Sequence, residues 1–146
     1  MRNSCLLLAL TFTFLTATLG CGGQDSDRVE VFPVSGKVLV NGQPAEGASV
    51  IFYSQSPDSE GKKMPVPGGT TDANGDFQLT SYESGDGAPA GEYKVAVVWY
   101  EPPSPNATGV SEQPDRLRGR YANPQTSKLT ARVEQGGSEL PPFELQ

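Results

Sequence analysis

Few side chains in this sequence have the types and spacing that support chemistry. The chain has no histidine and only two cysteines, Cys5 and Cys21, both in its first 21 residues. A nucleophile–histidine triad and the usual zinc sites both need imidazole or thiolate groups that the rest of the chain does not supply. What remains is three small constellations. Asp72, Asn74 and Asp76 place oxygen donors at alternate positions, the way an EF-hand loop begins, with Glu83 at the position of a closing bidentate ligand. The glycine falls two places early, at Gly75, and Phe77 stands where the sharp turn needs glycine. A hairpin turn in which Asp72 and Asn74 cap their own backbone fits better, so no metal is expected.

The second constellation is basic. Arg116, Arg118 and Arg120 alternate with Leu117, Gly119 and Tyr121, a pattern able to contact an anionic polysaccharide, a lipid headgroup or a partner's carboxylate. A solvated loop whose arginines balance neighbouring acids gives the same pattern. The third is aromatic: Tyr82, Tyr100 and Tyr121 would stack on sugar rings if their loops gathered at one end of the fold, and would otherwise pack at the core edge. Ser59 and Lys62 have the serine-to-lysine spacing of some acyl-enzymes but lie in a loop rather than at the start of a helix. Asn106-Ala107-Thr108 is formally a glycosylation sequon. No catalytic residue and no cofactor are expected.

The elements that must position these groups are strands. The chain has 146 residues, room for one domain, and its 17 glycines and 13 prolines favour short strands punctuated by turns. Residues 91–100 are central. Tyr93, Val95, Val97 and Trp99 fall on one face and Lys94, Ala96, Val98 and Tyr100 on the other, and the stretch is entered through a glycine- and proline-rich turn. A first strand is expected over 32–40, with Val34, Gly36, Val38 and Val40 on one face, ending at the hairpin signal Asn41-Gly42. Further strands are expected at 48–53, apolar on both faces, and at 70–71, 76–80, 129–133 and 143–145. Residues 54–69 are expected to form an exposed loop, and residues 101–125 a loop long for a domain this size. These two loops are the expected contact surfaces. Seven strands of this kind, with no amphipathic helix, imply an all-β, antiparallel sandwich of Greek-key type.

The first residues read as an address. Arg2 precedes an apolar run from Cys5 to Leu15, too short to be a good membrane span. The run closes on Gly20-Cys21, which resembles the bacterial lipoprotein signal, where a small residue precedes a cysteine that is lipidated; Thr18 departs from the usual leucine. The alternative is an ordinary cleaved signal. On the lipoprotein reading, residues 1–20 are the signal peptide, Cys21 carries the lipid, and the polar residues 21–30 form a flexible tether. The folded domain is then 31–146. The net charge of -6 disfavours a nucleic-acid partner, because phosphate binding needs a basic field.

Val34-Ser35-Gly36-Lys37-Val38 followed by Asn41-Gly42-Gln43-Pro44-Ala45-Glu46-Gly47-Ala48 resembles the opening of carboxypeptidase regulatory-like domains. Residues 70–77 are similar to that family's second hairpin, and Gly91-Glu92-Tyr93-Lys94-Val95 to its central strand. The resemblance implies a transthyretin-like sandwich without catalytic residues, appended to secreted and surface proteins as a binding or spacer module. The hydrolases of that fold depend on histidines and a C-terminal Tyr-Arg-Gly-Ser that this chain lacks. The expected function is a non-enzymatic, lipid-anchored module of the bacterial envelope, facing the periplasm or exterior, with a membrane partner through Cys21 and a possible envelope-protein or glycan partner. A glycan- or small-ligand-binding module using Arg116, Arg118, Arg120 and Tyr121 is the second reading, and a hydrolase the third.

Overall fold

Asn41 and Gly42 take φ angles of 51° and 78°, the left-handed pair that a two-residue hairpin requires and that asparagine and glycine tolerate best. The turn joins strands β1 (Val34–Val40) and β2 (Gln43–Pro44). The computed structural model describes residues 27–56, 61–102 and 113–146. Over these the chain is all-β, with the further strands β3 (Ser49–Ser54), β4 (Gly68–Thr70), β5 (Asp76–Gln78), β6 (Gly91–Val98), β7 (Leu129–Val133), β8 (Ser138–Glu139) and β9 (Phe143–Leu145).

Two sheets result. In one, β1 carries β2 and β5 antiparallel on one edge and β8 and β9 parallel on the other. The second sheet has the order β4-β3-β6-β7, all antiparallel. Each of the seven expected segments overlaps a strand, the one at 70–71 by Thr70 alone, but the described chain has nine strands, and the expectation of a wholly antiparallel fold fails at β1. The reason is directional. Strand β7 runs back beside β6, and the turn at 134–137 carries the chain into the other sheet, where it reverses and travels the same way as β1.

One core lies between the sheets. Val34, Val38, Phe77 and Phe143 face Val50, Phe52, Tyr93, Val95 and Val97, all buried. Phe52 is its hub, with ring centroids 5.6 Å from Tyr93 and 6.4 Å from both Phe77 and Phe143. Burying side chains of this size yields about 1.5–3 kcal/mol each, which is what offsets chain entropy in a fold with few strands. Gly36 keeps its place on the inner face because Phe77 occupies the space above it: a Cβ there would lie 2.6 Å from Phe77 Cζ.

Element boundaries shift where side-chain alternation outlasts backbone pairing. Phe32 makes only an isolated bridge to Ala88, and Trp99 and Tyr100 lie past the end of β6. In β3 the inner Val50 and Phe52 are fully buried, whereas Tyr53 is exposed, so that strand is covered on one face only. The expected exposed loop 54–69 ends early. Pro67 is fully buried and its carbonyl accepts the Phe52 N–H, so β4 begins at Gly68.

The sandwich has two distinct ends. Strands β1 and β6 start together, joined by the Phe32–Ala88 bridge and by the β7–β8 turn, in which Glu134 N donates to Ser138 Oγ. Residues 27–33 approach this end, called here the entry end. The far end is where β1 and β6 finish: Val97 N donates to Tyr121 O, and Gln146 N to Tyr121 Oη. The eight residues of β6 separate the two by about 26 Å.

Candidate functional site

Trp99 continues the inward-facing series of β6 one step beyond the strand, so its indole is half-buried at the rim of the core. Its Nε1 donates to Glu46 O at 2.7 Å, tying it to the loop between β2 and β3. That loop is itself fixed by the buried Thr71, whose Oγ1 accepts Ala48 N at 2.8 Å and donates to Ala45 O. On the other side stands residue 115. One Asp115 carboxylate oxygen accepts the N–H groups of Trp99 and Leu117, each at 3.0 Å, and the other accepts Gly119 N at 2.7 Å. A single carboxylate thus anchors the returning loop to the strand end and orders its turn.

This arrangement lays Arg116 over Trp99, with the guanidinium carbon 3.6 Å from the ring centroid and Arg116 N donating to Trp99 O at 2.8 Å. Stacking uses the flat face of the guanidinium and leaves its N–H edges available. Among the described residues nothing takes those edges in a hydrogen bond or ion pair, and the carboxylates of Glu46 and Glu101 are likewise unpartnered. Between the Trp99–Arg116 stack and the 43–47 loop lies a cleft of about 790 Å³, to which Gln43, Tyr100, Glu101 and Gln113 also contribute. Tyr100 is 52% exposed.

The arginine cluster does not act as one patch. Arg116 stacks on Trp99. Arg120 donates from Nη1 to Gln146 O at 2.6 Å, and Tyr121 receives Gln146 N, so these two residues hold the strand that ends in β9. Arg118, at φ 55°, points its unpartnered side chain outward from the turn. Of the expected tyrosines, Tyr100 and Tyr121 lie at the far end. Tyr82 lies at the entry end, where its hydroxyl accepts Val29 N and Arg28 stacks 5.0 Å from its ring centroid.

At Asp72, Asn74 and Asp76 the donors are turned to backbone and lysine. Asp72 Oδ1 accepts the N–H groups of Asn74 (2.8 Å) and Asp76 (3.0 Å). The Lys37 ammonium lies 2.9 Å from Asp76 Oδ1 and 2.8 Å from Asn74 O. Glu83 is at the opposite end of the sandwich, paired with Arg28 at 3.6 Å. Cys21, Ser59 and Asn106 lie outside the described residues, as do the signal segment 1–20 and most of the tether.

Reading the sequence singled out Arg116 but missed Asp115 and the role of Trp99. The available signal was Asp115 followed by glycine four places later, the spacing of a carboxylate that gathers turn N–H groups.

The entry end is built on a similar carboxylate. Asp86 accepts Ser81 N (2.7 Å), Tyr82 N (3.0 Å) and Glu83 N (2.9 Å). Burial pushes its pKa up, but the hydrogen bonds from Ser81, Glu83 and Tyr82 together outweigh that and hold it below the usual aspartate value. A second concavity, of about 570 Å³, runs between β7 and the 137–143 segment, and includes Ala131, Leu140 and Phe143. On its rim Arg132 lies 3.1 Å from Glu92 and 4.0 Å from Glu134, while Glu139 has no ion-pair partner among the described residues.

No family model matches the chain, and no curated protein matches it. Among solved structures it is similar to a 9R-lipoxygenase from Cyanothece PCC8801, with 13% identity, a TM-score of 0.43, and coverage of 80% of this chain but 16% of that one. A superposition this loose bears on neither fold family nor function.

Proposed function

We propose that the protein is a non-enzymatic, lipid-anchored module of the bacterial envelope, held to a membrane through Cys21 and making its contacts at the far end of the sandwich. Its two packed, mostly antiparallel sheets are in keeping with the transthyretin-like sandwich of the carboxypeptidase regulatory-like domains that the sequence resembles. The observation that carries the reading is the polarity of the fold. Residues 27–33, which span the last part of the 21–30 tether and the start of the domain, approach one end, where Tyr82, Arg28 and Asp86 are engaged with the chain itself. At the other, Arg116, Glu46 and Glu101 line an open cleft and have no ion-pair partner among the described residues, with Arg118 exposed on the adjoining turn. Anchoring the near end presents the far one, at a height set by strand length.

Mass spectrometry of the N-terminal peptide from the native host, together with membrane fractionation, tests the anchor. The expected result is a peptide that begins at Cys21 with acyl chains attached, and a Cys21→Ala variant that leaves the membrane fraction. An unmodified cysteine on a soluble protein overturns the reading.

A further inference from the structure

The two concavities differ in what their walls still have to offer. The seam beside β7 has its one arginine paired with Glu92 and Glu134, which leaves only Glu139 without an ion-pair partner among the described residues. The far-end cleft places a half-exposed phenol, a stacked guanidinium, two carboxylates and two amides around about 790 Å³, within the usual size of a small-ligand site. We propose that this cleft binds a neutral oligosaccharide. The inference rests on the far end being the contact surface and does not depend on the lipid anchor.

Charge selects among ligand classes. An anion on Arg116 would sit beside Glu46 and Glu101, whose carboxylates outnumber the one guanidinium in the lining. A cation would be drawn to Glu46 and Glu101, but Arg116 offsets one of those charges and already covers at 3.6 Å the Trp99 face that would cradle it. A lipid chain would leave six polar side chains without water or partners. A sugar satisfies all of them. Each hydroxyl both donates and accepts, so adjacent hydroxyls donate to Glu46 or Glu101 and accept from Arg116, Gln43 or Gln113. The apolar C–H face of a pyranose packs on the exposed ring of Tyr100.

Positioning favours this use. The guanidinium is held by the Trp99 ring and by the Asp115 turn, and the 43–47 wall by Thr71 and by Trp99 Nε1. Little side-chain freedom remains to be lost on binding at those positions.

Trp99 is the one tryptophan of the chain, so its emission reports on the cleft alone. The full chain, purified in a detergent without sugar headgroups, is titrated with maltohexaose, cellohexaose and chitohexaose, and with hexagalacturonate as the anionic control. The expected result is a saturable change in emission with at least one neutral hexaose and none with hexagalacturonate. Tyr100→Ala and Glu101→Gln are each expected to weaken binding about tenfold, while Arg132→Ala, in the seam, leaves it unchanged. Both cleft variants alter exposed side chains, and unchanged melting temperatures confirm their folding. Absence of a response to every neutral hexaose, binding of hexagalacturonate alone, or undiminished binding by Tyr100→Ala overturns the proposal. Because the titration is done in detergent, sugar binding by an unacylated protein would sink the anchor alone, and an acylated protein that binds no sugar would sink only the site.

Discussion

The two ends of this sandwich are made from the same parts. Each has an aspartate that gathers three backbone N–H groups, Asp86 at the entry end and Asp115 at the far end. Each has an arginine stacked on an aromatic ring, Arg28 on Tyr82 and Arg116 on Trp99. They differ in reach. Asp86 bonds only to residues three to five positions before it, and Arg28 is paired with Glu83. Asp115 reaches back 16 positions to Trp99 and brings a loop onto a strand end. At the entry end the aspartate and the arginine are both spent on neighbouring residues, whereas at the far end they fix a loop against a strand end and leave the guanidinium edges exposed. Similar turn chemistry therefore gives a self-contained turn at one end and a docked loop beside a cleft at the other, depending on whether the aspartate's partners are local.

The largest effect that would break this comparison is steric. Gly87 has φ 96°, and a Cβ there would lie 1.7 Å from Phe32 O. Gly87→Ala is expected to cost about 3–5 kcal/mol in urea unfolding by prying Phe32 from its bridge to Ala88. Next, Asp115→Ala and Asp86→Ala each leave three N–H groups without their acceptor, and each is expected to cost about 1–3 kcal/mol. Their spectra separate them, because only Asp115→Ala should shift the Trp99 emission. Equal shifts would mean the ends are not independent.

Titration sharpens the same contrast. Asp86 has a folded pKa below its unfolded value, so the stability it contributes is present above about pH 4 and is lost as pH falls through the folded value; Asp86→Asn should flatten that acid limb. Tyr93 behaves oppositely. Burial, and then the nearby Tyr82, push its pKa up to about 12, and its hydroxyl donates to Pro89 O at 2.7 Å. Its contribution is whole below the unfolded value near pH 10 and is lost as pH rises toward about 12. Tyr93→Phe should cost about 1 kcal/mol at neutral pH and remove that alkaline step. The smallest effect belongs to Arg116→Ala, about 0.5–1 kcal/mol from the lost stack, whereas Arg118→Ala should be silent.

Much of the fold was legible because it is local. The face bearing Tyr93, Val95 and Val97 is fully buried as its alternation implies, although Ala96 on the other face is buried too, and Asn41-Gly42 specifies its own turn. The parallel pairing of β8 and β9 with β1 was not legible. It depends on the turn at 134–137 crossing between sheets, which no periodicity within either strand records. The site was legible only in part for the same reason. Arg116 stood out by charge, but its use depends on Trp99, 17 positions earlier, and on an aspartate that reads in sequence as ordinary loop. Tyr82 and Tyr100 looked alike as exposed rings, and only the topology places them at opposite ends.

Orientation at the membrane tests the account most directly. Donor fluorophores at Glu83→Cys and, separately, at Arg118→Cys, in lipidated protein reconstituted into vesicles carrying a headgroup acceptor, report the height of each end by energy transfer. The account predicts strong transfer from position 83 and markedly weaker transfer from position 118, consistent with a separation of about 26 Å. Equal transfer from both positions, or stronger transfer from position 118, would contradict it.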